Sequence, residues 1–363
     1  MVPGVGLSAA EQVAGAVVVL AVLQDVFFTV LFPGSGRGCI RRPLARWLWM
    51  AFRAVGRRLE PGRRRHFLSY CGPVQVTVSL VVWGLLLLVG WAAIYLPALD
   101  AGITATDGST DRSWATAIYY SGYVLTTLGM GGVAPRDGLY RLLTIAEAGI
   151  GFATVTMAVT YFLSVYSALT QRKLSASLLH HRTYGTGDGA VLLAGLAVEG
   201  DLGGATDAVM AIAASVQHAA ETHESYPVLW YFHHRRPYYA VPRLLFLALD
   251  TAALLRSALD PVRYRRVVGS PAVAAMEAAA EGLLAELGST GDRQLAAEDE
   301  QTWRRRFADA VRVLGDGGLA LCADVPAASA EYVRLRARWD RPLQALSSGM
   351  LYDWPDIASG SVG

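Results

Sequence analysis

Between Val74 and Leu96 the chain carries no charged side chain. At ~1.5 Å of rise per residue, such a run makes a helix long enough to cross the ~30 Å hydrocarbon core of a bilayer. Residues 12–32, with Asp25 as the one charge, and roughly Leu139 to Leu169, with Arg141 and Glu147, are also long and apolar enough to cross. In lipid every backbone amide must find its partner inside its own segment or in a closed barrel. Three separate apolar runs of this length predict an all-α membrane protein with three transmembrane helices. Hydrophobic residues make up 53% of the 363-residue chain, which suits a membrane part joined to one soluble domain.

The stretch that most narrows the function lies between the second and third runs. Trp114 to Leu125 is aromatic-rich and reads as a helix with Ser113 as its N-cap, yet it is too short to span a membrane. The chain must therefore enter and return on one side, and irregular backbone at that depth is tolerated only when enclosed by protein or lining water. Directly after it comes Thr126-Thr127-Leu128-Gly129-Met130-Gly131-Gly132. Alternating glycines admit the positive φ values that would aim main-chain carbonyls at an axis, and rings of such carbonyls replace a cation's hydration shell. Thr127 adds a hydroxyl at the inner mouth. The carboxyl end of the short helix would turn its negative dipole end toward a cavity and favour a cation there.

Helix, Thr-x-Gly-x-Gly turn and second span together resemble the potassium-channel pore family, in its bacterial branch with two membrane helices flanking a re-entrant loop. The likeness rests on Ala117-Ile118-Tyr119-Tyr120, on Leu125 through Gly131, and on Pro135, Arg141, Glu147-Ala148 and Gly149-Ile150-Gly151, and it covers roughly residues 75–170. Met130 stands where the family usually has an aromatic residue, most often Tyr, and Gly132 where it usually has Asp. The resemblance implies a selectivity filter of Thr126, Thr127, Leu128, Gly129, Met130 and Gly131. It implies filter support from Tyr119, Tyr120 and Glu147, a gating hinge at Gly151, and a cavity lined by Phe152, Val155 and Val159. Close helix packing is the alternative for Gly151, and ion coordination the alternative for Glu147. One loop per chain cannot enclose an axis, so the expected assembly is a homotetramer that conducts K+ or another monovalent cation passively, with no further cofactor. Met is flexible and has no donor, which keeps a weakly selective cation channel open. A non-conducting membrane signalling or scaffold protein is the alternative from another class.

Net charge is only +2, but Arg37, Arg41, Arg42, Arg46, Arg53, Arg57, Arg58, Arg63, Arg64 and Arg65 crowd one segment. Basic loops stay inside, so the N-terminus is expected outside the cell membrane and the C-terminal part in the cytoplasm. Arg42, Arg46, Arg53 and Arg57 recur at helical spacing, with Leu44, Leu48, Val55 and Leu59 opposite. This predicts a basic amphipathic helix on the inner leaflet, with anionic lipids as partners of residues 37–65. These arginines lie outside the apolar spans, which argues against voltage sensing. Asp25, inside the first run, is expected to face protein or water near the inner boundary and to pair with a nearby Arg, with hydration among headgroups as the alternative. No Lys or Arg precedes that run, so it is expected to remain in the mature chain.

Beyond residue 170 the chain is Ala/Leu-rich and broken at Tyr184–Gly189, Gly203-Gly204, Gly288-Ser289-Thr290-Gly291 and Gly315–Gly318. Helical spacing through 271–287 and 295–314 predicts an all-α cytoplasmic domain. The expected layout is an N-terminal span in 1–35, a basic linker helix in 36–70, a pore domain in 71–170 and the helical domain in 171–363. Leu244 to Leu255, with Asp250 inside it, is short for a fourth span and is expected to be a core helix. No strand followed by G-x-G-x-x-G appears, and the scattered Cys39, Cys71 and Cys322 suggest neither disulfides nor a metal site. His218, His223, His233 and His234 lack metal-ligand spacing and are expected at a solvated surface or interface, with a divalent-ion or pH sensor as the functional alternative. Trp230-Tyr231-Phe232 and Tyr238-Tyr239 are expected to pack against a neighbouring helix or subunit. Catalytic residues, enzymatic activity and nucleic-acid partners are not expected.

Overall fold

The computed structural model describes residues 3–32, 38–106, 109–288 and 300–358. The predicted break at Pro33–Gly36, Arg37, Asp107, the turn residues 289–291 and the start of the helical run at 295–299 lie outside the described residues. The chain divides into two compact units, Met1–Ala51 with Cys71–Tyr166, and Phe52–Tyr70 with Ser167–Gly363. The fold is that of an all-α membrane protein. Three helical stretches, Ala9–Leu31, Pro61–Ala98 and Gly138–Arg182, are long and apolar enough to cross a membrane, and the described sheet is one pair of three-residue strands.

In the first unit α1 (Pro3–Val26) runs into a π-helical turn, Phe27–Leu31, and packs along α4 (Cys71–Tyr95). A Cβ on Gly15 would stand 2.4 Å from the Gly90 carbonyl oxygen, so the two backbones touch where neither has a side chain, the small-residue crossing favoured between membrane helices. Val22 and Val26 bury themselves in one cluster with Trp83 and Leu87. Gln12 donates to the Ile94 carbonyl and to the Tyr140 hydroxyl, each at 3.3 Å.

Asp25 is fully buried, and its partners differ from the expected arginine side chain. It accepts from the backbone amides of Ile40 at 2.8 Å and Arg41 at 3.2 Å, and from the Trp83 indole at 2.8 Å. Those amides open α2 (Arg41–Gly56), and helix-initial amides lack intrahelical partners and carry the positive end of the dipole. A carboxylate is compensated there without a guanidinium, and the Arg41 guanidinium reaches the Tyr161 hydroxyl instead, at 3.5 Å.

The basic segment forms two helices. After α2 the chain turns, and α3 (Pro61–Leu68) starts with proline at its first helical position behind an extended Glu60. Proline pushes the residue before it out of the helical region, which ends any single helix at that point.

The second unit is built around α9 (Val241–Ser257), buried on every face from Leu245 to Leu255, so the core-helix expectation holds. Around it pack α7 (Gly189–Leu196), α8 (Ala205–Ser225), α11 (Pro271–Gly288) and α13 (Val325–Gly349). The short α10 (Arg265–Val268), α12 (Glu300–Asp316) and α14 (Trp354–Ala358) complete the unit. Asp250, inside α9, accepts from Tyr332 at 2.6 Å and pairs with Arg306 at 3.2 Å and Arg336 at 3.3 Å. Burial pushes its carboxyl up, but the two guanidiniums outweigh this and hold it below the usual range. Arg336 also binds Asp340 at 2.9 Å, and the Phe246 ring lies under both guanidiniums.

His233 and His234 are buried core residues, which corrects the surface expectation. His233 stacks on Tyr352 with centroids 4.3 Å apart, and burial pushes both imidazoles down to about 3. The aromatic flanks W-Y-F and Y-Y give no sequence signal separating an exposed His from a stacked one. Tyr238 packs on a neighbouring helix, stacked on His180 at 4.0 Å. Arg64 and Arg65 of α3 pair with Asp353 at 2.5 Å and Asp356 at 2.9 Å, so these two basic residues are engaged within their own unit.

Candidate pore loop

The short helix α5 spans Trp114–Leu125, as expected, and Ser113 caps it by accepting from the Thr116 amide at 3.3 Å. Its far end closes on the loop. The amides of Thr126, Thr127 and Leu128 bond back to Gly122, Val124 and Tyr123 at 3.1, 3.0 and 2.9 Å. The Thr126 hydroxyl returns to the Gly122 carbonyl at 2.6 Å, so it serves the helix end.

From Thr127 the backbone alternates in hand. Thr127, Gly129 and Gly131 have φ of +59°, +64° and +74°, while Leu128 and Met130 between them stay out of the positive region. Alternation of this kind turns successive amides to one side and, since each peptide is planar, successive carbonyls to the other. Among the described residues the carbonyls of Thr127, Leu128, Gly129 and Met130 accept no hydrogen bond from the protein. Main-chain carbonyls are obligatory acceptors, so this row of oxygens is directed at something other than the chain's own amides. Leu128 and Met130 are 69% and 65% exposed.

The outer end of the loop is fixed. The Thr106 hydroxyl donates to the Gly131 carbonyl at 2.7 Å and the Thr106 amide to the Gly132 carbonyl at 3.1 Å. Antiparallel pairing of β1 (Ile103–Ala105) with β2 (Val133–Pro135) holds the returning strand. The Tyr123 hydroxyl donates to the Val133 carbonyl.

Behind the loop sits a cluster of aromatic rings. Tyr120 is fully buried, edge-on to Tyr95 at 4.9 Å and to Tyr123 at 5.3 Å, with its hydroxyl 2.6 Å from that of Thr144. Tyr119 is nearly half exposed and touches the cluster only through Tyr123, at 5.4 Å. Tyr123 and Tyr95 were missed by the sequence reading, although Tyr123 lies four residues beyond Tyr119 on one helix face. Glu147 is fully buried on α6 (Gly138–Arg182), where Ser121 donates to it at 2.6 Å. Ser121 is also 3.1 Å from the Leu88 carbonyl, so one hydroxyl joins α5 to both flanking helices.

α6 is unbroken through Gly149 and Gly151 and runs thirteen residues past the expected end at Leu169. A Cβ on Gly151 would lie 2.1 Å from the Leu125 carbonyl oxygen, which makes this glycine a close-approach site against the last turn of α5. Phe152, Val155 and Val159 share an exposed side of α6, at 70%, 64% and 54%. The structure thus brings Tyr120, Glu147 and Gly151 together behind the loop and leaves the three proposed cavity residues on a separate, open face.

A short helix ending on a loop of alternating hand, set between two apolar helices, defines a pore-loop membrane protein. Residues 79–168 match the family described as ion channel, and this segment fits a potassium-channel-like family. The chain is also similar to an uncharacterized membrane protein, YdjJ, of Bacillus subtilis (strain 168), with 38% identity over 161 residues, covering 44% of this chain and 46% of that one. The chain thus spans about half the length of this curated relative. No solved structure matches significantly.

Proposed function

We propose that the chain is a potassium-channel-like cation channel in which four copies surround one axis and conduct monovalent cations passively. The observation that carries this reading is the row of carbonyls from Thr127 to Met130, which accept no hydrogen bond among the described residues and are set to one side by the alternating φ values. In a fourfold ring those oxygens supply the ligands of a dehydrated cation. Thr126, Thr127, Leu128, Gly129, Met130 and Gly131 form the filter, with Tyr119, Tyr120 and Glu147 as its support. Phe152, Val155 and Val159 line the cavity, and Gly151 is the hinge. Arginine placement supports an N-terminus outside the cell membrane and the C-terminal unit in the cytoplasm. In this reading the chain is a transport protein, with no catalytic role.

Met130 favours a second reading of weak selectivity. Its side chain is 65% exposed, and a Cβ on Gly132 would stand 3.9 Å from the Tyr119 hydroxyl. Purified chain in liposomes, with sodium on one side and potassium on the other, separates the two. A reversal potential near that of potassium supports the selective channel, and one near zero supports the weakly selective channel. Absence of current with correctly folded protein leaves the signalling or scaffold reading.

A further inference from the structure

The faces of α2 are divided three ways. Ala45 is buried, and Leu44 and Leu48 beside it are half-buried, so the leucines expected on lipid turn toward the protein. The opposite side is exposed but not uniform. Arg42 and Arg46 form a basic edge, and next to it runs an apolar strip in which Trp47 is 70% exposed and Met50 43%. Exposed apolar side chains bordered by arginines on one helix match the interfacial pattern, in which a helix dips below the headgroups and its cations stay at their level.

The placing of α2 points to the same surface independently. Its first amides are bound by Asp25, six residues before the end of the apolar stretch Ala9–Leu31, or about 9 Å along a helix. Buried Gln75, near the start of α4, donates to the Ala45 carbonyl at 3.2 Å. Two membrane-length helices therefore tie α2 to the level at which their apolar stretches terminate. Tryptophan is the side chain enriched at that depth.

We propose that the outward face of α2 is a binding surface for anionic phospholipid. Trp47 and Met50 enter the boundary of the acyl chains, and Arg42 and Arg46 hold headgroup phosphates. The test uses the full chain carrying Cys39→Ser, Cys71→Ala, Cys322→Ser and Met50→Cys, labelled with a small fluorophore and reconstituted in phosphatidylcholine vesicles. Brominated phosphatidylglycerol and brominated phosphatidylcholine are then compared as quenchers. Quenching of the label is expected, at least twofold beyond that of the same label at Val262, which is 84% exposed. Phosphatidylglycerol should quench more strongly than phosphatidylcholine at equal mole fraction, and Arg42→Gln with Arg46→Gln should reduce that preference about fivefold per arginine. An emission indifferent to both lipids overturns the proposal, because water or protein, such as a second copy of the chain, then covers the face. Equal quenching by both lipids overturns the anionic assignment. Trp47→Cys in the same background provides a second label should Met50→Cys fail to fold. The readout needs no ion conduction, so its outcome stands apart from that of the flux experiment.

Discussion

Along α6, Leu142, Ile145, Phe152 and Val155 are each more than three-fifths exposed, whereas in α9 every side chain from Leu245 to Leu255 is buried. Both stretches are apolar, and they lie in different units. The helical unit closes on its own core and even buries charge, because Asp250, Arg306, Arg336 and Asp340 satisfy one another. Among the described residues the membrane unit leaves both an apolar helix face and a row of main-chain oxygens without protein partners. The difference teaches that one unit satisfies its own polar and apolar groups within a single copy, while the other leaves groups that lipid and the proposed fourfold assembly would cover.

The sharpest way to break this contrast is Gly129→Ala. At φ +64° a side chain costs about 1–2 kcal/mol per copy, and the proposed tetramer would bear it four times. Liposome flux should fall to background while the helical unit melts as before; unchanged flux would refute the filter assignment. Next is Asp250→Ala, which takes a buried carboxylate from both Arg306 and Arg336, leaving Asp340 to Arg336, and should cost about 3–5 kcal/mol, read as a loss of near-UV circular dichroism at lower temperature. The pore helix should be indifferent to it.

Acid provides a smaller effect in the same unit. His233 and His234 are held neutral, with pKa pushed down to about 3 by burial, against about 6.5 when unfolded. Their contribution is complete above pH 6.5 and is lost as pH falls from there toward 3, by about 1–2 kcal/mol per histidine at pH 5. A melting temperature that stays flat from pH 7 to pH 5 would contradict their burial. Smallest is Ser113→Ala, which removes the cap of α5 and should cost about 1 kcal/mol, visible as a modest drop in the melting temperature of the membrane unit.

Spans, short helix and core helix were legible because length and charge alone decide whether a run can sit in lipid. The bounds of α5 and its Ser113 cap followed from local chemistry. Asp25 was read correctly as needing compensation, but its partner was not legible: backbone amides leave no mark in a sequence, and only the fold brings Ile40 and Arg41 to it. His233 and His234 failed for a related reason, since both meet Tyr352, His233 by stacking and His234 through its amide, and that residue lies more than a hundred positions away. At Gly151 the sequence offered a hinge or a packing site, and the close approach to the Leu125 carbonyl oxygen is a tertiary contact that no local pattern displays.

That contact has a mechanical consequence. With 2.1 Å between a would-be methyl carbon and the Leu125 oxygen, there is no slack between α6 and the last turn of α5. A tilt of α6 at this level is transmitted directly to Leu125, two positions before Thr127. Movement at the base of α6 and distortion of the oxygen-bearing loop are then geared to each other, and a single added methyl would jam the gear.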